Sequence, residues 1–85
     1  MPLDQTHALE ILNILGPFDG RRLRADIVRN NLNGRLPRPL TGEQFQDLMR
    51  EMESRGWISH RVDEFGNWTW GIKEDGQILR EQYYQ

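Results

Sequence analysis

The sequence predicts a small α+β domain in which three helices precede a two-stranded hairpin and a short final helix. Two observations support this prediction. Apolar residues recur at helical spacing through three segments between residues 4 and 55, which indicates helices with one buried face. After Gly56 the apolar period changes to two, the period of half-buried strands. A chain of 85 residues has room for one hydrophobic core, so we expect a single domain over residues 1–85.

The first helix is expected to follow Asp4, whose carboxylate suits the N-cap position, and to end at Leu15. Gly16 and Pro17 come next and together form a strong stop signal. Its inward positions are Ala8, Ile11, Leu12 and Leu15, flanked by Leu9 and Ile14. Because this stripe is wide, we expect the other elements of the core, or a second subunit, to cover it.

The second helix is expected to run from about Arg21 to Asn31, with Asp19 as its cap and Gly34 as its stop. Its inner side would carry Leu23, Ile27, Val28 and Leu32. The loop that follows contains two prolines in residues 35–39, which prevent the helix from continuing.

The third helix has the clearest boundaries and is expected to span residues 42–55. Thr41 with Gln44 three positions on forms a capping box, because each side chain satisfies a backbone N–H of the other. Phe45, Leu48, Met49 and Met52 form its apolar stripe. Gly56 is expected to end the helix in the left-handed conformation.

The hairpin register depends on the loop between the two strands. A three-residue loop over residues 64–66 pairs Val62 with Trp68 and His60 with Trp70, which places both apolar rows on one face. Gly66 then occupies the left-handed position that such loops require. The last helix is expected over residues 74–83, with Ile78, Leu79 and Tyr83 turned to the core.

The composition argues against several classes of site. There is no Cys, which excludes disulfides, thiol catalysis and Cys-ligated zinc. His7 and His60 do not lie in a cluster with metal-ligand spacing, and His60 is expected to be partly buried beside Trp70. We therefore expect no metal, no cofactor and no enzymatic activity. No apolar run is long enough for a membrane span, and the N-terminus lacks the basic region of a secretory signal, so a cytoplasmic location is expected.

Charge is distributed unevenly along the chain, although the formal net charge is only −2. Residues 20–38 hold six arginines against Asp26 alone, a net charge of +5. The segments before and after are acidic, at −3 and −4. Such a basic segment suits contacts to phosphate or to carboxylate groups.

The order of elements resembles the winged-helix superfamily, a helix-turn-helix variant found in many bacterial repressors. Residues 48–58, Leu-Met-Arg-Glu-Met-Glu-Ser-Arg-Gly-Trp-Ile, look like the end of a recognition helix leading into a wing. Residues 70–76, Trp-Gly-Ile-Lys-Glu-Asp-Gly, look like the turn into the last helix, although Lys73 stands where those families often have Thr. The resemblance covers nearly the whole chain and implies duplex DNA as the partner.

The resemblance also implies that the third helix reads the major groove while the wing or second helix lies on phosphates. The candidate nucleic-acid contacts are Arg21, Arg22, Arg24, Arg35, Arg38, Gln44, Gln46, Arg50 and Arg61. Arg21, Arg22 and Arg24 are expected at a helix start, where they would touch phosphates rather than bases.

An acidic third helix is a poor DNA reader, because phosphate neutralisation supplies most of the non-specific affinity. Its outward positions are Glu43, Asp47, Arg50 and Ser54. The alternative prediction is therefore a module that binds a basic protein surface through Glu43, Asp47 and Glu51. Opposite charges on one small domain also favour self-association, so a homodimer is a further possibility.

Overall fold

The computed structural model describes residues 3–18 and 20–83, so Asp19, the expected cap of the second helix, lies outside the described residues. The elements in chain order are α1 (Gln5–Leu15), a 3₁₀ turn (Gly16–Phe18), β1 (Leu23–Arg24), α2 (Ala25–Arg35), α3 (Gly42–Ser54), β2 (Ile58–Val62), β3 (Trp68–Ile72) and α4 (Glu74–Tyr83). The three strands form one antiparallel sheet in the order β1-β3-β2. The α+β prediction of three helices, a hairpin and a final helix is confirmed, and β1 adds a third strand that the sequence did not reveal.

One core lies between the helices and the inner face of the sheet. Trp70 is its largest fully buried side chain. It is surrounded by the apolar faces of α1, α2 and α3, which contribute Ile11, Leu12, Leu15, Val28, Leu32, Met49 and Met52. The wide stripe of α1 is covered by this core, since Ala8 and Ile14 are also buried. No helix of the described residues is long and apolar enough to cross a membrane.

Helix α2 begins four residues later than the sequence indicates. Leu23 and Arg24 are extended and pair with Trp70 and Thr69 of β3, so the predicted start at Arg21 is wrong. Pairing with a distant strand satisfies backbone groups that a helix would otherwise have used. The helix also continues past Gly34 to Arg35, and Ile27, expected to face inward, is 42% exposed.

Both ends of α3 are built as the sequence predicts. The Thr41 hydroxyl accepts from Gln44 N at 3.1 Å, and Gln44 Oε1 accepts from Thr41 N at 3.0 Å. At the other end Gly56 has φ +79°, and Trp57 N donates to Met52 O at 3.3 Å. These bonds form a left-handed C-terminal cap, with Arg55 as the last partly helical residue.

The hairpin has the predicted register, with Ile58 opposite Ile72, His60 opposite Trp70 and Val62 opposite Trp68. Asp63 N donates to Asn67 O at 2.9 Å, which closes a loop of residues 64–66. Gly66 has φ +80°, as such a loop requires.

Helix α4 has the predicted bounds but faces differently. Its buried residue is Gly76, which lies against the backbone carbonyl of Trp57. Ile78 lies about 200° around the helix from Gly76 and is 48% exposed, so its expected place in the core is wrong. Tyr83 at the helix end is also exposed, whereas Leu79 packs against the core.

Candidate nucleic-acid interface

The sheet brings basic side chains from two distant parts of the chain to its outer face. Leu23, Trp70 and His60 pair across the three strands and share one face, on which Trp70 and Leu23 pack in the core and His60 is half-buried. The next row is Arg24, Thr69 and Arg61, and it faces the opposite side because side chains alternate along a strand. Arg24 and Arg61 therefore flank Thr69 on the outer face, and both are exposed.

Arg22 lies in the same outer layer and crosses the sheet to β2. Its Nη1 donates to Ser59 O and its Nη2 to Ser59 Oγ, both at 2.9 Å. The path passes over Gly71, where an added Cβ would lie 3.2 Å from Arg22 Cγ. Partial burial, and secondarily the charge of Arg61, lowers the pKa of Arg22, while Glu53 opposes the shift. Arg22, Arg24 and Arg61 are called the sheet arginines below.

Arg24 is the sheet arginine with a carboxylate partner. Its Nη2 and Nε donate to the two carboxylate oxygens of Asp26 at 2.7 and 3.2 Å. This hydrogen-bonded pair holds the pKa of Asp26 below its ordinary value. Arg21, just before the sheet arginines, is exposed and forms no ion pair with any described residue. Arg24 is both the last residue of β1 and the N-cap of α2, so its expected place at the helix start holds, whereas Arg21 and Arg22 precede the strand and are not part of the helix.

The outward face of α3 is as acidic as the sequence predicts. Glu43, Asp47, Arg50 and Ser54 are all exposed. Gln46 is half-buried on a flank, and the side-chain oxygen of Gln44 is occupied by the capping box. Glu51 is half-buried and accepts from Arg55 Nε at 3.1 Å. Arg50 is therefore the one cation among the outermost residues of the helix.

The two remaining candidate arginines lie around the α2–α3 loop, away from the sheet rows. Arg35 Nη1 is 3.1 Å from Glu10 Oε2 of α1, which ties the end of α2 to α1. Arg38 is exposed and forms no ion pair within residues 3–18 and 20–83. The structure therefore divides the basic segment into a sheet group and a loop group.

Two polar residues near α3 were not among the predicted candidates. Arg29 of α2 reaches the start of α3, with its Nη1 3.5 Å from the position a Cβ would take at Gly42. The sequence signal that could have identified Arg29 is its place in the basic segment of residues 20–38. Glu53 Oε2 lies 2.6 Å from His60 Nδ1 and also accepts from His60 N at 3.0 Å.

The contact between Glu53 and His60 fixes the β2–β3 hairpin to the end of α3. The His60 ring also stacks on Trp68, with the centroids 4.4 Å apart and the planes within 8°. His60 is thus a half-buried residue with a satisfied Nδ1, in line with its expected place beside Trp70.

Comparison with known proteins gives matches in structure rather than in sequence. No family model and no curated protein sequence matches the chain. A MarR-family transcriptional regulator from Silicibacter pomeroyi superposes with a TM-score of 0.78 at 13% identity, over 96% of this chain and 50% of that one. S. aureus MepR in its complex with DNA gives 0.77 at 20% identity, over 96% and 62%. SSV1 F-93 gives 0.69 at 15% identity, over 96% and 84%.

The chain thus spans between half and about three fifths of the length of the first two regulators. The match extends over nearly all of this chain in each case, including the helices and the hairpin. Together with the observed order of elements, these similarities show that the chain has the winged-helix fold.

Proposed function

We propose that the chain is a non-enzymatic, duplex-DNA-binding domain of a transcriptional regulator, and that its sheet arginines contact DNA phosphates. The observation that carries the proposal is the row of Arg24 and Arg61 around Thr69, with Arg22 fixed beside it. The likeness to a regulator solved with DNA supports the choice of ligand.

The outer face of the sheet suits a phosphate backbone because the fold holds the sheet arginines in place and leaves room on the surface between them. Arg22 uses two N–H groups on Ser59 and keeps three others for a ligand. Thr69 between Arg24 and Arg61 is small, so a phosphate can approach these two guanidinium groups closely. Guanidinium groups bind phosphate oxygens through paired hydrogen bonds, and placing them in advance reduces the ordering cost of binding.

Helix α3 contributes less to the electrostatic part of this proposal. Its two exposed carboxylates, Glu43 and Asp47, repel phosphates, while Arg50 and the flank residue Gln46 are suited to base edges. Arg29 adds positive charge beside the first turn. In this arrangement the phosphates supply most of the affinity and α3 supplies the contacts that depend on sequence.

The proposal is tested by measuring duplex affinity against salt concentration for Arg24→Ala and Arg61→Ala. Each lost phosphate contact should reduce the slope of log K against log salt by about 0.9. Affinity should fall alike for all duplex sequences, because phosphates carry no sequence information. Lys73→Ala is the matched control, since it removes an exposed charge from the other end of β3. Slopes equal to that of the control in both arginine variants would refute phosphate contact at the sheet.

A second candidate function is binding of a basic protein through Glu43, Asp47 and Glu51. It is favoured by the exposure of Glu43 and Asp47, neither of which forms an ion pair with another described residue. One titration separates the two functions. A basic protein ligand should bind Glu43→Gln/Asp47→Gln less tightly than the parent chain, whereas duplex affinity should not fall.

A further inference from the structure

The β2–β3 hairpin extends beyond the core, and its far end leaves large apolar side chains in solvent. Val62 and Trp68 pair across the hairpin on the face that carries the buried Trp70. Val62 is nevertheless 54% exposed and Trp68 37%, while Phe65 in the loop is 88% exposed. Neighbouring exposed apolar groups, unlike scattered ones, mark a binding surface. Residues 62–68 are called the hairpin end below.

The Trp68 ring is held in place from one side. The His60 ring stacks on it, with the centroids 4.4 Å apart and the planes within 8°. Glu53 in turn fixes the His60 ring through its contact of 2.6 Å with Nδ1. Since His60 covers one face of the indole, the exposed part of Trp68 belongs to the other face and the rim. An aromatic ring fixed in this way is a preformed stacking surface.

The loop that carries Phe65 is also fixed. Asp63 Oδ1 accepts from Phe65 N and Asn67 N, both at 2.9 Å, and Gly66 N donates to Asp63 O at 3.1 Å. The hydrogen bond from Asn67 foremost, and the charge of Arg24 to a smaller degree, lower the pKa of Asp63. Arg24 is therefore close enough to the loop to offset part of its negative charge.

The hairpin end adjoins the sheet arginines. One residue along from the Val62–Trp68 pair is the pair of Arg61 and Thr69, whose side chains lie on the outer face. Strand β2 is an edge of the sheet, so a ligand can pass around it from one face to the other. Successive residues of a strand are about 3.4 Å apart, so a nucleotide whose base lies on Trp68 can place its phosphate near Arg61.

We propose that the hairpin end stacks on unpaired DNA bases, with Trp68 and Phe65 as the stacking rings. This inference rests on the proposed function, in which DNA is the ligand, and extends the contacts from phosphates to bases. Every base has a flat π face, so stacking on aromatic side chains requires no particular sequence. Because the bases of a duplex already stack on one another, the hairpin end selects a strand whose bases are free.

The groups beside the two rings favour a nucleic acid over a protein segment. Arg61 and Arg24 lie next to the hairpin end and can bind phosphates through paired hydrogen bonds. Bases on aromatic rings and phosphates on cations are the combination by which proteins bind single strands. Glu64 is exposed in the loop and opposes phosphate, so stacking must supply a large share of the affinity at this end.

The experiment compares a short oligothymidine strand with an abasic strand of equal length, which has the same phosphates but no bases. Stacking on Trp68 should quench the tryptophan fluorescence of the chain with oligothymidine and leave it unchanged with the abasic strand. Trp68→Phe keeps a ring in the hairpin and should remove the quenching. Trp70 is fully buried and Trp57 lies outside the hairpin end, so neither should respond.

Phe65→Leu keeps an apolar side chain but removes the ring. It should weaken oligothymidine binding by about fivefold or more, without changing the slope of log K against log salt, because no phosphate contact is lost. Tyr83→Leu is the matched control, since it removes an exposed ring from α4, and its affinity should equal that of the parent. Circular dichroism checks that each variant is folded.

Equal quenching by the two strands, or quenching that persists in Trp68→Phe, would overturn the proposal. So would oligothymidine affinities of Phe65→Leu and Tyr83→Leu that are the same. Blunt-duplex affinity of the sheet-arginine variants reports separately on the proposed function. Duplex binding without base-dependent quenching refutes stacking alone, whereas base-dependent quenching without duplex binding refutes the duplex function alone.

Discussion

At the scale of single residues, Gly76 determines how closely α4 approaches the turn after α3. A Cβ at this position would overlap the carbonyl oxygen of Trp57 and lie 2.9 Å from Ile72 Cγ1. Replacing a helical glycine by alanine ordinarily stabilises a protein by about 0.5–1 kcal/mol. Because a backbone atom occupies the space here, we expect Gly76→Ala to destabilise the fold by about 1–3 kcal/mol, measured from the denaturant midpoint.

Gly34 provides the matched control, since it also lies inside a helix and has no atom within 4 Å of its Cβ position. Gly34→Ala should raise the free energy of unfolding by about 0.5–1 kcal/mol. If both substitutions stabilise the protein, the close approach of α4 to Trp57 is incorrect.

Asp63 stabilises the loop between β2 and β3, and it does so through its charged carboxylate. Its Oδ1 accepts from Asn67 N and from Phe65 N, both at 2.9 Å. These bonds, led by that from Asn67, hold the pKa of Asp63 below its ordinary value. A carboxyl with a lowered folded pKa stabilises the fold above its unfolded pKa, and this contribution is lost as pH falls below about 4.

We therefore expect Asp63→Asn to reduce the free energy of unfolding at neutral pH, with a difference from the parent that shrinks on acidification. Urea unfolding at several pH values measures it. Glu64→Gln is the control, because the Glu64 side chain is exposed in the same loop and forms no ion pair with any described residue. A difference for Asp63→Asn that does not change with pH would contradict the role of its charge.

At the scale of elements, α3 is the helix whose ends are most fully specified by local sequence. The Thr41 hydroxyl satisfies Gln44 N, so Thr41→Ala should cost about 1 kcal/mol of stability. Chemical denaturation measures the loss. Thr6→Ala, on the exposed side of α1, should change stability by no more than about 0.5 kcal/mol. Equal effects of the two substitutions would show that the capping box contributes nothing.

The elements differ in how well the sequence predicts them because their determinants lie at different distances. The caps of α3 and the loop at Gly66 depend on residues within five positions, so α3 and the hairpin register could be predicted. The start of α2 depends on pairing of Leu23 with Trp70, far along the chain. Helical spacing of Leu23 and Ile27 favoured a helix there, and the tertiary contact overrode it.

At the scale of the whole molecule, the fold regroups charges that the sequence shows as one basic segment. Arg61 comes from the acidic part of the chain and joins Arg24 across Thr69, while Arg35 is drawn to Glu10. The sequence therefore predicted the basic segment and the acidic face of α3. It did not predict which arginines share a surface. That information requires the strand order β1-β3-β2, which depends on the two-residue strand β1.

A charge change on α3 tests whether the outward face of this helix meets DNA. Glu43 lies on the outermost side of the helix, so Glu43→Lys would replace repulsion of a nearby phosphate by attraction. We expect tighter binding to any duplex and a salt dependence steeper by about 0.9 in the log–log slope, if the lysine makes one contact. Glu81→Lys on α4 changes the net charge by the same amount at a distant exposed site, and fluorescence anisotropy compares the two. Equal gains in the two variants would reflect net charge alone, and no gain in Glu43→Lys would exclude α3 from the DNA contact.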